Sequence, residues 1–229
     1  MGQRLVIQNK INGESVNAIY YHWSAYTESS ISELKDFANH LLENYNNHSN
    51  EFLSQLTDKG KELLEKLDNC ELTNTEIIEL FNLMSYFAVS GVSSSGEESL
   101  NYLSQFTTDT DRETVNRNYG LLGITDKDQD SLLYWSEGTL VVDWVFTNQG
   151  YPDFERTVFD FSHLFFRLDE DEYNEYYNED GDNPISSLEK CPYSTHNVPL
   201  SQIKQLQNNL NQYPHILIDE DNEILTFIE

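Results

Sequence analysis

A run of carboxylates near the middle of the chain has the spacing of a calcium-binding loop. Counted from the first, acidic side chains stand at positions 1, 3, 5 and 12, which are Asp126, Asp128, Asp130 and Glu137. An EF-hand loop takes oxygen ligands at these offsets, so the four residues are candidates to hold Ca²⁺ or Mg²⁺. Position 6 is Ser131 where that loop needs glycine, and the residues after it have the pattern of a strand rather than a helix. An acidic turn that enters a hairpin explains the same residues, and the two interpretations stay open.

A second group of acids, over residues 169–182, contains no Lys or Arg and has tyrosines between its carboxylates. Like charges at this density repel, which is typical of a solvated loop. Carboxylates spaced along a surface can also imitate the phosphates of a nucleic acid, with the tyrosines as interface anchors or as imitations of stacked bases. We call residues 169–182 the acidic segment. Its candidate partner-binding residues are Asp169, Glu170, Asp171, Glu172, Tyr173, Glu175, Tyr176, Tyr177, Glu179, Asp180 and Asp182.

Enzyme signatures are weak in this chain. None of its six histidines belongs to an HExxH motif, and no set of Cys and His has zinc spacing. Gly91 and Gly96 have the glycine spacing of a P-loop, but Glu97 and Glu98 follow where that loop carries Lys and Ser or Thr. Acids at those positions would repel a phosphate. The sequence therefore names no catalytic residue, and an enzyme with a dispersed site stays an alternative.

The charge of the whole chain is strongly negative. Forty Asp and Glu against 13 Lys and Arg give the 229 residues a formal net charge of −27 at pH 7. Residues 1–100 carry 15 acids and 6 bases, whereas residues 101–229 carry 25 acids and 7 bases. Nucleic acids and anionic membranes repel such a charge, so we expect neither as a direct partner. A basic protein is the partner that the charge favours.

Targeting signals are missing from the sequence pattern. The chain has no run of 18 apolar residues, and its N-terminus lacks the apolar region of a signal peptide. We therefore expect a cytoplasmic protein.

The elements that must position these residues have an α+β pattern, with antiparallel hairpins at both ends and a helical block between them. Asn12-Gly13 predicts a hairpin turn near the N-terminus, Glu137-Gly138 predicts a second between strands at 132–135 and 139–146, and Asp221-Asn222 predicts a third. The simplest arrangement is one domain over residues 1–229, with a subdivision near 91–120 as the alternative. The terminal hairpins would then share one sheet region.

Apolar residues at helical spacing predict the helices. One helix follows residue 28, and a second covers the block from Phe52 to Leu67, with Gly60 as a candidate break. A third begins at Thr73 or Thr75 with Glu76 near its third position, as in a capping box. Residues 97–120 predict one or two shorter helices, and Pro199 opens a last helix through residue 212.

The N-terminal residues carry one resemblance. The opening MGQR and the later YYHWSAYT, at residues 20–27, resemble small uncharacterised proteins of bacteria and their phages. The resemblance covers roughly the first thirty residues, and it implies no activity and no site residue.

These observations lead to one expected function and two rivals. We expect a non-enzymatic binding protein that inhibits a cationic nucleic-acid-binding partner, such as a phage-encoded nucleic-acid mimic directed against a CRISPR or restriction enzyme. An immunity protein against a basic nuclease toxin is the first rival. A hydrolase or nucleotide-handling enzyme whose acids hold Mg²⁺ or Ca²⁺ is the second.

Overall fold

The chain has an α+β fold, in a computed structural model that describes residues 4–22, 24–25, 27–89, 91–92, 96–110, 120–134, 136, 138–162, 195–212, 215–219 and 224–228. A mixed sheet of seven strands forms its centre, with helices against it. None of the described helices is long and apolar enough to cross a membrane.

The hairpin predicted near the N-terminus is confirmed. Strands β1 (Leu5–Ile11) and β2 (Glu14–Tyr21) pair antiparallel across the two-residue turn. Asn12 and Gly13 have φ angles of 55° and 79°, as a type I′ turn requires. Glycine adopts this conformation without a steric cost, and asparagine tolerates it.

The remaining strands extend the sheet on both sides of this hairpin. Their order is β3-β4-β2-β1-β5-β6-β7, in which β1 lies parallel to β5 and β3 parallel to β4, whereas the other neighbours are antiparallel. A second, two-stranded sheet contains β8 and β9. The bounds are Gly91–Val92 (β3), Leu121–Gly123 (β4), Gly138–Trp144 (β5), Val158–Ser162 (β6), Thr195–Pro199 (β7), His215–Asp219 (β8) and Ile224–Ile228 (β9).

Seven α-helices lie within the described residues. α4 begins with the predicted capping box, in which Thr73 and Glu76 each bind the other's backbone N–H. The last helix follows a 3₁₀ turn at Leu200–Gln202 that comes directly after Pro199, as predicted. The bounds are Thr27–Tyr45 (α1), Asn50–Ser54 (α2), Asp58–Asp68 (α3), Asn74–Ala88 (α4), Glu97–Leu103 (α5), Asp126–Tyr134 (α6) and Ile203–Gln212 (α7).

Three predictions about elements are wrong. Residues 132–134 of the predicted strand at 132–135 lie in α6, so they form no hairpin with β5, which instead pairs parallel with β1. The helix break in the second block comes at residues 55–57 and not at Gly60, which lies inside α3. The terminal hairpins belong to two different sheets.

The main core lies on one face of the large sheet. Alternate residues of β1 and β5, such as Ile7 and Leu140, point from it toward apolar residues of α1 and α4, such as Phe37 and Phe81. The opposite face carries a small second cluster in which Leu132 of α6 packs on two strand residues. α6 therefore covers part of the second face and is positioned by that contact. The strand partners of Leu132 are Val6 and Ala18.

Candidate functional site

The acidic segment lies outside the described residues, but the strands that flank it are fixed. β6 and β7 are antiparallel neighbours, with Val158 opposite Pro199 and Phe159 opposite Val198. β7 stands at the end of the strand order. Residues 163–194, which join the two strands, carry nine acids and two bases. The chain therefore departs from and returns to adjacent strands at one edge of the sheet.

The candidate metal ligands do not form the predicted loop. Asp126, Asp128 and Asp130 lie in α6, where Asp126 and Asp130 are exposed and Asp128 is 1% exposed. Residues two apart in a helix point in nearly opposite directions, so the three carboxylates do not converge. No group of three or more His, Cys, Asp and Glu among the described residues could hold a metal ion. Both the predicted calcium-binding loop and its alternative, an acidic turn, are wrong, because these residues form a helix. Cation binding that uses Glu137 stays a prediction, because Glu137 lies outside the described residues.

Asp128 instead fixes the start of α5. Its Oδ2 accepts hydrogen bonds from the backbone N–H of Ser99 at 3.2 Å and from the Ser99 hydroxyl at 2.5 Å. The Ser99 Oγ accepts in turn from the N–H of Ile124 at 2.9 Å. Because Gly96 at the N-cap of α5 has no side chain to do this, Asp128 satisfies a helix N–H from another element. The other oxygen, Oδ1, has no hydrogen-bond partner among the described residues.

The described surface is rich in exposed carboxylates, while several basic groups are engaged with nearby acids. Fourteen described Asp and Glu are exposed. Lys59 lies 3.0 Å from Glu79, Lys66 lies 2.6 Å from Glu76 and 2.9 Å from Glu62, Lys127 lies 2.8 Å from Glu98, and Arg156 lies 2.7 Å from Asp153. In these contacts each basic group is paired with a neighbouring acid. The remaining carboxylates carry the negative excess of the surface.

Glu33 is a carboxyl group that the sequence analysis missed. It is half-buried on α1, and its Oε1 accepts a hydrogen bond from the Ser24 hydroxyl at 2.9 Å. Burial, and secondarily the negative charge of Asp36, raise the pKa of Glu33 to about 7, although the Ser24 bond opposes the shift. Burial and these same two acids raise the pKa of Tyr21 well above its usual range. The position of Glu33 next to the buried Leu34 was the signal in the sequence that could have indicated its partial burial.

A cleft that the sequence analysis also missed lies where β1 and β5 end side by side. It has a volume of about 310 Å³, and α4 begins at its rim. Apolar side chains and uncharged polar side chains line it together. Six of the residues that line it are Ile11, Asn12, Asn74, Ile77, Trp144 and Asn148.

Comparison of the chain with protein-family models, curated proteins and solved structures found no match.

Proposed function

We propose that this protein binds a cationic, nucleic-acid-binding protein in the bacterial cytoplasm and inhibits it by occupying the nucleic-acid site. The observation that carries the proposal is the acidic segment, eight carboxylates within 14 residues that contain no base. A groove that binds nucleic acid releases counterions from phosphates, and a row of carboxylates offers it the same exchange. The net charge of −27 would also steer a basic partner into fast association.

The flanking strands support this role for the acidic segment. Because β6 and β7 are adjacent at the end of the sheet, both ends of the connection are anchored side by side. Such anchoring reduces the conformational freedom that binding would otherwise remove. The bases are also few, 13 Lys and Arg against 40 Asp and Glu, and four of them lie within 3.0 Å of an acid.

Two kinds of basic partner fit the same chemistry. A CRISPR or restriction enzyme would make the protein an anti-defence inhibitor, which agrees with the resemblance of the N-terminal residues to phage and bacterial proteins. A nuclease toxin would make it an immunity protein. The identity of the captured partner separates the two.

The test is a pull-down from nuclease-treated bacterial lysate with the full-length protein as bait, at low and at high salt. We expect retention of a basic nucleic-acid-binding protein at low salt and its loss at high salt, because salt screens exposed charges beyond about 8–10 Å. Added DNA or RNA should compete with the bait. If no salt-sensitive basic protein is retained, or if the retained protein binds added DNA or RNA while it stays on the bait, the proposal is wrong.

A further inference from the structure

A chain of hydrogen-bonded polar side chains crosses the main core. Five buried residues form it, each at most 2% exposed: Trp144, Asn9, Asn17, Asn82 and Ser85. The Trp144 indole N–H donates to Oδ1 of Asn9 at 2.7 Å, and Nδ2 of Asn9 donates to Oδ1 of Asn17 at 2.7 Å. Nδ2 of Asn17 donates to Oδ1 of Asn82 at 2.8 Å and to Oγ of Ser85 at 3.3 Å. We call these five residues the amide network, which joins β5, β1, β2 and α4.

The direction of the hydrogen bonds in the amide network follows from its first member. An indole N–H can only donate, so Trp144 sets the orientation of the Asn9 amide, which then presents its Nδ2 to Asn17. An amide in the core that lost its partner would stay buried without a hydrogen bond, which costs more than the bond itself contributes. The amide network therefore favours strand positions in which its members meet.

The pairing of β1 with β2 changes register beside the amide network. Next to the turn that joins the two strands, Lys10 lies opposite Ser15. Continued without interruption, that register would place Asn9 opposite Val16. Instead Val16 is an extra residue on β2, a β-bulge, and Asn9 lies opposite Asn17. The bulge thus brings the two amides together.

Both the bulged register and the uninterrupted one would put apolar side chains on the core face of β2. In the bulged register Ile19 and Tyr21 belong to the main core, whereas Ala18 and Tyr20 belong to the second cluster. In the uninterrupted register the residues beyond the bulge would each move to the other face. The core would then receive Val16, Ala18 and Tyr20. Apolar alternation in β2 therefore permits both registers.

We propose that the amide network selects the bulged register of β2 over the uninterrupted one. In the uninterrupted register Asn17 would leave the core face, so the amide of Asn9 would lose its acceptor. Asn82 and Ser85 would lose their donor at the same time. The larger side chain of Ile19, which is fully buried, favours the bulged register through packing, and the experiment has to separate the two effects. This selection takes place in the core and does not rest on the proposed function.

The test is NMR on the isotope-labelled full-length protein that carries Asn9→Leu together with Asn17→Ala. The leucine fills part of the space that the alanine leaves. The groups that lose their partners are unpaired in both registers, so the substitutions remove the preference for one of them. Protons of Ile7 lie near those of Ile19 in the bulged register, and would lie near those of Ala18 in the uninterrupted one.

We expect the wild type to show contacts of Ile7 with Ile19 alone. The double variant should show a second set of signals from β2, with contacts of Ile7 to Ala18, in about 10% of the molecules or more. A double variant that keeps only the bulged register would overturn the proposal.

A control variant separates the amide network from core packing. Ile19→Val reduces the packing that favours the bulged register and leaves every hydrogen bond of the amide network in place. We expect it to lower the melting temperature and to keep a single set of signals from β2. A second register in Ile19→Val would mean that packing makes the choice, and the proposal would be wrong.

Deletion of Val16 supplies a second readout. Without the extra residue, the register that the turn sets also places Asn17 opposite Asn9. Added to the double variant, the deletion should therefore return β2 to one set of signals. If two sets persist, they do not come from a change of register, and the assignment fails.

A milder variant covers the case in which the double variant does not fold. Asn17→Ala alone keeps the hydrogen bond from Trp144 to Asn9 and should show the second register in the same measurement. Loss of folding in this variant as well would mean that the amides are needed for stability and do not choose the register, which contradicts the proposal.

Discussion

Glu33 is a residue whose ionisation the fold changes in a testable direction. Its pKa is about 7 in the folded protein and close to 4.5 in an unfolded chain. Folding therefore favours the protonated form, so its contribution to stability is greatest below pH 4.5 and is lost as the pH rises through 7. Above pH 7 the folded protein holds a carboxylate that is partly shielded from water.

Glu33→Gln should remove this pH-dependent loss. The glutamine carbonyl can still accept the Ser24 hydroxyl bond, but it carries no charge. We expect the variant to be more stable than the wild type at pH 8 by roughly 1–2 kcal/mol, a discounted figure because water reaches the half-buried carboxyl. At pH 4 the two should be nearly equal. Urea unfolding at both pH values measures the difference, and a gap that does not change with pH would contradict this account.

Gly60 gives a second prediction at the scale of the residue. Replacing a glycine inside a helix with alanine usually stabilises a protein, but here we expect the opposite. A Cβ at this position would lie 2.1 Å from the backbone oxygen of Phe106. In an open helix, Gly→Ala would add about 1 kcal/mol of stability. Here we expect Gly60→Ala to destabilise the protein by roughly 1–3 kcal/mol, because backbone must move to relieve the overlap. A rise in melting temperature would show that α3 and Phe106 are not packed this closely.

At the scale of elements, the capping box of α4 contains a second carboxyl group whose pKa the fold changes, in this case downward. Hydrogen bonds from Lys66 and from Thr73 lower the pKa of Glu76 to about 2. The stabilising carboxylate is fully present above pH 4.5 and is lost as the pH falls from there through 2. The bonds therefore hold at neutral pH.

Thr73→Ala should lower the free energy of unfolding by roughly 1 kcal/mol, since it leaves a first-turn N–H of α4 unsatisfied. Thr75→Ala is the matched control, because Thr75 is exposed in the same turn and takes no part in the box. Chemical denaturation of both variants measures the effect. Equal losses in the two variants would mean that the capping bond adds nothing.

Local signals predicted those elements whose pattern is unambiguous. The Asn12-Gly13 turn, the Thr73 cap and the periodic helices of the first half are dictated by nearby residues. α6 was misread because Leu132 and Leu133 follow a row of acids that has the character of a turn, whereas the helix is held by contacts with distant residues, among them the packing of Leu132 on Val6 and Ala18. The parallel pairing of β1 and β5 joins residues more than 130 positions apart, which no local pattern encodes. The cleft depends on that pairing and was hidden for the same reason.

At the scale of the whole molecule, the net charge of −27 opposes its own compact state. Raising NaCl from about 20 mM to about 500 mM shortens the screening length severalfold and weakens this repulsion. We expect the melting temperature to rise, by about 2–4 °C for each kcal/mol of repulsion that is screened. Differential scanning calorimetry checks this, with a neutral osmolyte at equal osmolality as the control. A melting temperature that falls with NaCl would mean that ion pairs outweigh the repulsion.

The central claim is that the acidic segment, rather than net charge alone, binds the cationic partner. Two variants of equal charge separate these ideas. One changes the eight carboxylates of the acidic segment to amides, and the other does the same to eight exposed carboxylates elsewhere. The control set is Glu14, Glu43, Glu51, Glu65, Glu71, Glu97, Asp130 and Glu155, all of them exposed.

The deciding measurement is the dissociation constant of each variant for the captured partner, as a function of salt. The account predicts that the acidic-segment variant binds about tenfold or more weakly at low salt and loses most of its salt dependence, whereas the control variant stays within about threefold of the wild type. Equal losses in the two variants, or full affinity without the carboxylates of the acidic segment, would contradict it.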